Sequence, residues 1–308
     1  MAYKLEKLFW ELPLDSEKTE LTIEKYLEVV EDLYDLNCQY VFLTGQNILG
    51  RKDIGIITSA LHSASIKFSI ICQSENITVQ TIQLLRMLHP EKVILKINDI
   101  SDKESLEKSL ELLKKYKFNI MALTKLDTSN FEKLEEVRDF LVENKISKWQ
   151  INYANCNEKN IISEKQFELF SKFIIETKEK YKSNFDEVIS VPRVDYMDEI
   201  SEKIYKGKWY GCPAGMTMAA ISKEGNIKGC LHLEDNSYCE GNICNNSFKE
   251  IWQSKDKYTY NRRFDINSID NACKKCVYVT VCKGGCISNS LNEQKRATKY
   301  CLYRLEQN

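Results

Sequence analysis

The chain has 308 residues, 43% of them hydrophobic and 29% charged, and a formal net charge of -1. That length accommodates two domains with a real core. The even charge balance argues against a nucleic-acid or membrane-surface partner. No apolar run reaches the ~20 residues of a membrane helix, and the first residues lack a cleavable leader pattern, so a cytoplasmic protein is expected.

Along the first 185 residues, short runs rich in β-branched and aromatic residues alternate with longer amphipathic ones, the pattern of βα units on a parallel sheet. Strands are expected at 6–10, 39–44, 66–72, 92–97, 118–124 and 148–153. Helical periodicity follows each, over 21–36, 52–63, 79–88, 103–116, 131–144 and 164–181. Ser101, and Thr128 or Ser129, are expected to cap the fourth and fifth helices. Six repeats fall short of the eight of a closed barrel, so the sheet stays open or the tail covers the gap. A further apolar run spans 188–194. A linker is expected over 186–208, and a second domain over 209–308.

The tail is irregular, with short runs such as Met216 to Ser222 that suit hairpin strands. It holds little apolar material, so bound metal is expected to supply its cross-links. Nine of the 12 cysteines fall between Cys212 and Cys301, while Cys38, Cys72 and Cys156 stand apart beside core segments. A reducing compartment leaves clustered thiols to act as metal or redox groups rather than disulfides. Cys273 and Cys276, two residues apart, reach one soft centre from a tight turn, and Cys282, Cys286 and Cys301 follow, with Cys212 and Cys230 upstream. An iron–sulfur cluster takes about four such ligands, so seven exceed one site. Zinc also uses such pairs, but the spacing here does not repeat the pair and only three histidines exist: His62, His89 and His232.

These cysteines come with a framework: Gly211 to Gly215 around Cys212, Gly225 to Cys230, Gly241 to Ile243, and Phe248 to Trp252. Over residues 209–303 spacing and framework together resemble the SPASM domain. The resemblance implies two auxiliary [4Fe-4S] clusters, one on Cys273, Cys276, Cys282 and Cys301, the other on Cys212, Cys230 and Cys286. The second set lacks an obvious fourth protein ligand: an open iron or a thiolate from Cys239 or Cys244 completes it, with His232 a weaker candidate. Gly284 and Gly285 are expected to let the backbone pass close to a cluster.

SPASM domains commonly follow a radical-SAM half-barrel, and residues 5–185 resemble one. The expected fold is therefore α/β: a partial (β/α)6 TIM-like barrel followed by a small cysteine-rich SPASM domain. Active members carry three clustered cysteines after the first strand. Here Leu8 to Leu12 match the strand, but Pro13 to Thr19 follow it, and no cysteine precedes Cys38. The Gly-Gly-Glu-Pro motif after the second strand is replaced by Thr44, Gly45, Gln46, Asn47 and Ile48. The resemblance with these departures implies a protein that keeps its auxiliary clusters and no longer cleaves S-adenosylmethionine. It would serve an active radical-SAM enzyme, or bind a precursor peptide at the barrel mouth. Two alternatives stand beside this: a redox enzyme in its own right, and a zinc-bound interaction module.

Overall fold

The structure, a computed structural model, describes residues 3–14, 21–153, 160–191, 211–290, 295–301 and 303–304. Its elements in chain order are β1 (Lys7–Glu11), α1 (Ile23–Asp35), β2 (Tyr40–Thr44), α2 (Ile54–Ser63), β3 (Lys67–Gln73), α3 (Val79–Leu88), β4 (Lys92–Lys96) and α4 (Lys103–Lys115). Then come β5 (Ile120–Leu126), α5 (Leu134–Glu143), β6 (Lys148–Tyr153), α6 (Glu164–Lys180) and β7 (Glu187–Val191). The C-terminal part adds β8 (Met218–Ile221), β9 (Asn226–Lys228), β10 (Gly241–Asn242), α7 (Phe248–Gln253), α8 (Thr259–Arg262), α9 (Asn271–Lys274) and α10 (Val279–Cys282). All six expected strands are present, with ends within two residues of the sequence reading.

Two compact units divide the chain: residues 1–95, 104–120 and 213–263 form the first, and 96–103, 121–212 and 264–308 the second. In the first unit β1 has parallel partners on both edges. Lys7 to Glu11 stand opposite Tyr40 to Thr44 of β2, and Lys7 to Trp10 opposite Met218 to Ile221 of β8. β2 continues in parallel to β3, while β8 turns antiparallel into β9 and β9 into β10. The tail thus extends the sheet beyond its first strand. Phe68 to Cys72 of β3 are buried without alternation, as in a parallel strand covered on both faces. Helix α1 buries Tyr26, Val29, Val30 and Leu33, one stripe at helical spacing. Full burial of such a side chain is worth about 1.5–3 kcal/mol. That outweighs the surface pair Lys25–Glu28 on the same helix, at 2.7 Å, since exposed pairs contribute ~0.2–1 kcal/mol.

In the second unit β5, β6 and β7 run parallel. β7 occupies residues that the sequence reading gave to the linker. Trp149 is fully buried, and its Nε1 donates to the Thr124 hydroxyl at 2.9 Å, which donates to the Ile97 carbonyl at 2.6 Å. Tyr300 packs its ring 5.1 Å from Tyr153 and 5.0 Å from Phe167, and its hydroxyl donates to the Ile162 carbonyl at 2.9 Å. That docking fixes the backbone immediately before Cys301.

Two expected caps differ. The Ser101 and Ser129 hydroxyls donate to Asp99 and Asp127, short local turns that compete with capping. Asn130 leads into the fifth helix, which opens as a 3-10 turn over Phe131–Lys133.

Candidate metal centre

Five cysteines lie on one connected loop system in the second unit. The Asp270 carboxylate accepts from the Ala272 amide at 2.9 Å and starts α9, which carries Cys273, and the Cys276 amide donates back to the Cys273 carbonyl at 3.0 Å. This makes the two-residue spacing a tight turn. Helix α10 ends on Cys282, after which Lys283, Gly284 and Gly285 all have positive φ, at 54°, 77° and 79°. Such a run favours glycine, because a Cβ is strained there. A Cβ on Gly284 would also sit 2.8 Å from the Arg296 carbonyl. The reversal presents Cys282 on one arm and Cys286 on the other.

A strap over residues 296–299 holds this reversal. The Arg296 amide donates to Ser268 at 2.8 Å, the Arg296 carbonyl accepts from Asp270 at 3.1 Å, the Thr298 amide donates to Gly284 at 2.9 Å, and the Lys299 amide to Asn289 at 2.7 Å. The strap runs directly into Tyr300 and Cys301. Cys212 follows a glycine that lies against the end of α10. Gly211 before it has φ of 89°, and a Cβ there would lie 3.1 Å from the Val281 carbonyl.

The other tail cysteines belong to the first unit. Cys230 follows β9, and a Cβ on the preceding Gly229 would collide with the Tyr260 hydroxyl. The Tyr260 ring contacts Tyr238 at 5.1 Å and Tyr258 at 6.4 Å. Burial, with Glu240 close by, pushes the Tyr258 phenol far up. Burial likewise raises Glu240, whose carboxylate accepts from the Tyr258 amide at 2.8 Å. Cys239 follows Tyr238 and its Sγ donates to the Gly241 carbonyl at 3.3 Å, whereas Cys244 lines a cavity with Val29 and Asp32 of α1. Cys230 and Cys239 are thus each next in the chain to a residue that meets Tyr260, Gly229 for the one and Tyr238 for the other.

Cys212, Cys230, Cys239, Cys244, Cys273, Cys276, Cys282, Cys286 and Cys301 are all half-buried and outside any disulfide. Among the described residues no three His, Cys, Asp or Glu side chains stand close enough to share one metal ion. By their chemistry the thiols suit an iron–sulfur cluster, and Cys273, Cys276, Cys282, Cys286 and Cys301 share one loop system beside Gly284 and Gly285. His232 is half-buried after Cys230. His62 bonds the Leu88 carbonyl at 2.8 Å and His89 ends α3 with φ of 49°, so both act in local structure.

In the amino-terminal half Cys38 and Cys72 are 5% and 0% exposed. Burial pushes the Cys38 thiol up to about 11. Its Sγ points to the Tyr40 carbonyl at 3.6 Å, at the start of β2. β1 and β2 end at Glu11 and Thr44, four residues or about 13 Å further along. At that end the Leu12 amide donates to the Thr44 carbonyl at 2.8 Å, and Arg51, 8% exposed, donates to the Pro13 carbonyl. Cys156 lies outside the described residues. Arg51, Arg296 and Tyr300 were not singled out in the sequence, since no local pattern marks a side chain that acts on a distant carbonyl.

The family model of the SPASM domain, an iron–sulfur cluster-binding domain, matches residues 212–277. A cysteine-type anaerobic sulfatase-maturating enzyme of Clostridium perfringens is 24% identical over 194 residues, 58% of this chain and 50% of that protein. The chain thus spans about half the length of the curated relative it matches. The structure of Streptococcus suis SuiB bound to S-adenosylmethionine superposes with a TM-score of 0.72 at 15% identity, covering 97% of this chain and 77% of that one. SuiB bound to its precursor peptide SuiA gives 0.71 at 15% identity, covering 97% and 75%. A structure of anSMEcpe with bound AdoMet and the Cp18Cys peptide gives 0.67 at 16% identity, covering 97% and 95%. The fold is that of these partial barrels followed by a SPASM domain.

Proposed function

We propose that this chain, a radical-SAM/SPASM protein by fold and domain, is an iron–sulfur protein of peptide maturation that does not itself cleave S-adenosylmethionine. The observation that carries the reading is the contrast between its two ends. A loop system bearing Cys273, Cys276, Cys282, Cys286 and Cys301 is built around Gly284, while the exit of β1 is held by the Arg51 guanidinium on the Pro13 carbonyl. The nearest thiol in sequence, Cys38, sits buried at the opposite end of the strands.

When bound, two [4Fe-4S] clusters supply one-electron transfer or an iron for a substrate thiolate. Cys273, Cys276, Cys282 and Cys301 hold one, and Gly284 keeps the backbone clear of it. Cys212, Cys230 and Cys286 are the second set by their place in the SPASM pattern. Cys239 is favoured over Cys244 to complete it, because Tyr238 before it packs on Tyr260, the residue that meets Gly229 before Cys230. The family match at 212–277 lies inside the domain read from the sequence at 209–308.

A peptide substrate is supported by the relatives: SuiB is seen with a precursor peptide, and the Clostridium protein is named for maturing sulfatases. An active radical-SAM enzyme is the proposed working partner, since the β1 exit here offers no thiolate for the radical-generating cluster. Anaerobic protein is to be assayed for 5'-deoxyadenosine beside a cluster-free control, with iron and acid-labile sulfide counted on the same sample. About eight irons with no deoxyadenosine support the reading, by the four-iron count of each cluster. Product above the control overturns it.

A further inference from the structure

We propose that Arg296 is a positioning and potential-tuning residue of the SPASM domain, clamping the turn between Cys282 and Cys286 and placing a permanent cation beside both arms. The inference rests on the two-cluster reading above. Both Nε and Nη2 of Arg296 donate to the Gly285 carbonyl, at 3.2 and 2.6 Å. The adjacent Gly284 carbonyl is taken by the Thr298 amide at 2.9 Å, so the two carbonyls of the turn are both bound by the same strap. Arg296 is itself anchored at its backbone by Ser268 and Asp270, at 2.8 and 3.1 Å. One residue thereby links three ligand-bearing pieces: α9 with Cys273, the Cys282–Cys286 turn, and the strap that delivers Cys301.

The side chain adds a charge that the backbone bonds do not need. The guanidinium carries its charge into a half-buried place, where screening is weaker than in water. Its fork rests on the carbonyl of the residue next to Cys286 and three beyond Cys282. A reduced cluster carries one more negative charge than an oxidised one, so a fixed cation at this place stabilises the reduced form and raises the potential. The turn could be closed by a neutral donor, and the distinction between donor and charge makes the proposal testable.

The experiment is an anaerobic redox titration of the reconstituted full chain, followed by electron paramagnetic resonance, on wild type, Arg296→Gln and Arg296→Lys. Gln keeps a donor for the Gly285 carbonyl and drops the charge, whereas Lys keeps the charge and loses the planar fork. At a potential where wild type is largely oxidised, the reduced fraction is expected to fall about tenfold in Gln, a shift of ~59 mV for one electron. Lys is expected to stay within about threefold of wild type. Equal potentials in all three proteins, or an equal fall in both variants, overturn the tuning role. Iron and sulfide counted on wild type keep the two failures apart. Absent iron there sinks the cluster reading itself, while eight irons with unmoved variants sink only the role of Arg296.

Discussion

Arg51 grips Asp53 through two guanidinium bonds, Nε to Oδ1 at 2.9 Å and Nη2 to Oδ2 at 2.6 Å, while its Nη1 donates to the Pro13 carbonyl. The Arg51 side chain is 6% exposed and that of Asp53 24%. Breaking a buried pair from one side strands the other charge, at a cost of about 3–5 kcal/mol, and the partly wet Asp53 reduces this to about 2–3 kcal/mol. Arg51→Met is therefore expected to lose that much stability in urea unfolding, and Arg51→Lys to regain less than half, because an ammonium cannot form the fork. A loss under ~0.5 kcal/mol in the Met variant, the scale of a surface pair, would mean that the β1 exit is held by something else. Calorimetry adds a second check: S-adenosylmethionine should leave the melting temperature unmoved.

Cys38 tests whether the isolated thiols are packing residues. Its value is raised from 9.0 to about 11 by burial. The folded value lies above the unfolded one, so the stability it contributes is fully present below pH 9.0 and is lost as pH rises through about 11. Cys38→Ala should flatten the alkaline limb of the stability curve in that window. In metal-free native protein at pH 8, iodoacetamide should modify the tail cysteines and spare Cys38 and Cys72. Labelling of Cys38 as fast as Cys276 would contradict its burial.

The strands were legible because parallel strands covered on both faces read as nearly continuous apolar runs, as Phe68 to Cys72 do with Ser69 the one polar residue among them. The helices were legible from stripes such as Tyr26, Val29, Val30 and Leu33. β7 lay inside the stretch read as linker, since an apolar run at the end of a repeat carries no signal of its pairing. The parallel pairing of β8 with β1 is a long-range contact that no local pattern announces. At the site, the cysteine identities came from spacing and their division between clusters from family resemblance. Arg51 and Arg296 stayed hidden because each acts on a backbone carbonyl, and any residue in the sequence supplies one.

The cysteine assignments separate by iron content. If the proposed assignment holds, changing Cys273 and Cys276 together to alanine should remove about half of roughly eight irons, four for each cluster. Cys239→Ser should alter the spectrum of the remaining cluster, while Cys244→Ser should leave iron and spectrum unchanged. The reverse pattern would assign the completing thiolate to Cys244 and make the Tyr238–Tyr260 contact beside Cys239 incidental.

Lys228 is 7% exposed, an uncommon place for an ammonium, and it donates to the carbonyls of Leu233 at 2.9 Å and Glu234 at 3.1 Å. Those bonds close the loop that begins at Cys230, so the side chain that sits two residues before Cys230 also folds the backbone after it. Lys228→Met keeps the aliphatic stem and takes the donor from the buried Leu233 carbonyl, which costs about 1–3 kcal/mol, while Glu234 is exposed and its carbonyl can turn to water. The expected result is a lower melting temperature together with faster iron loss to a chelator, since the loop carrying Cys230 opens more often. Lys228→Arg should restore part of both. If the Met variant melts later or releases iron no faster than wild type, the ammonium is a tolerated burial, and Cys230 is held by β9 and the Gly229–Tyr260 contact alone.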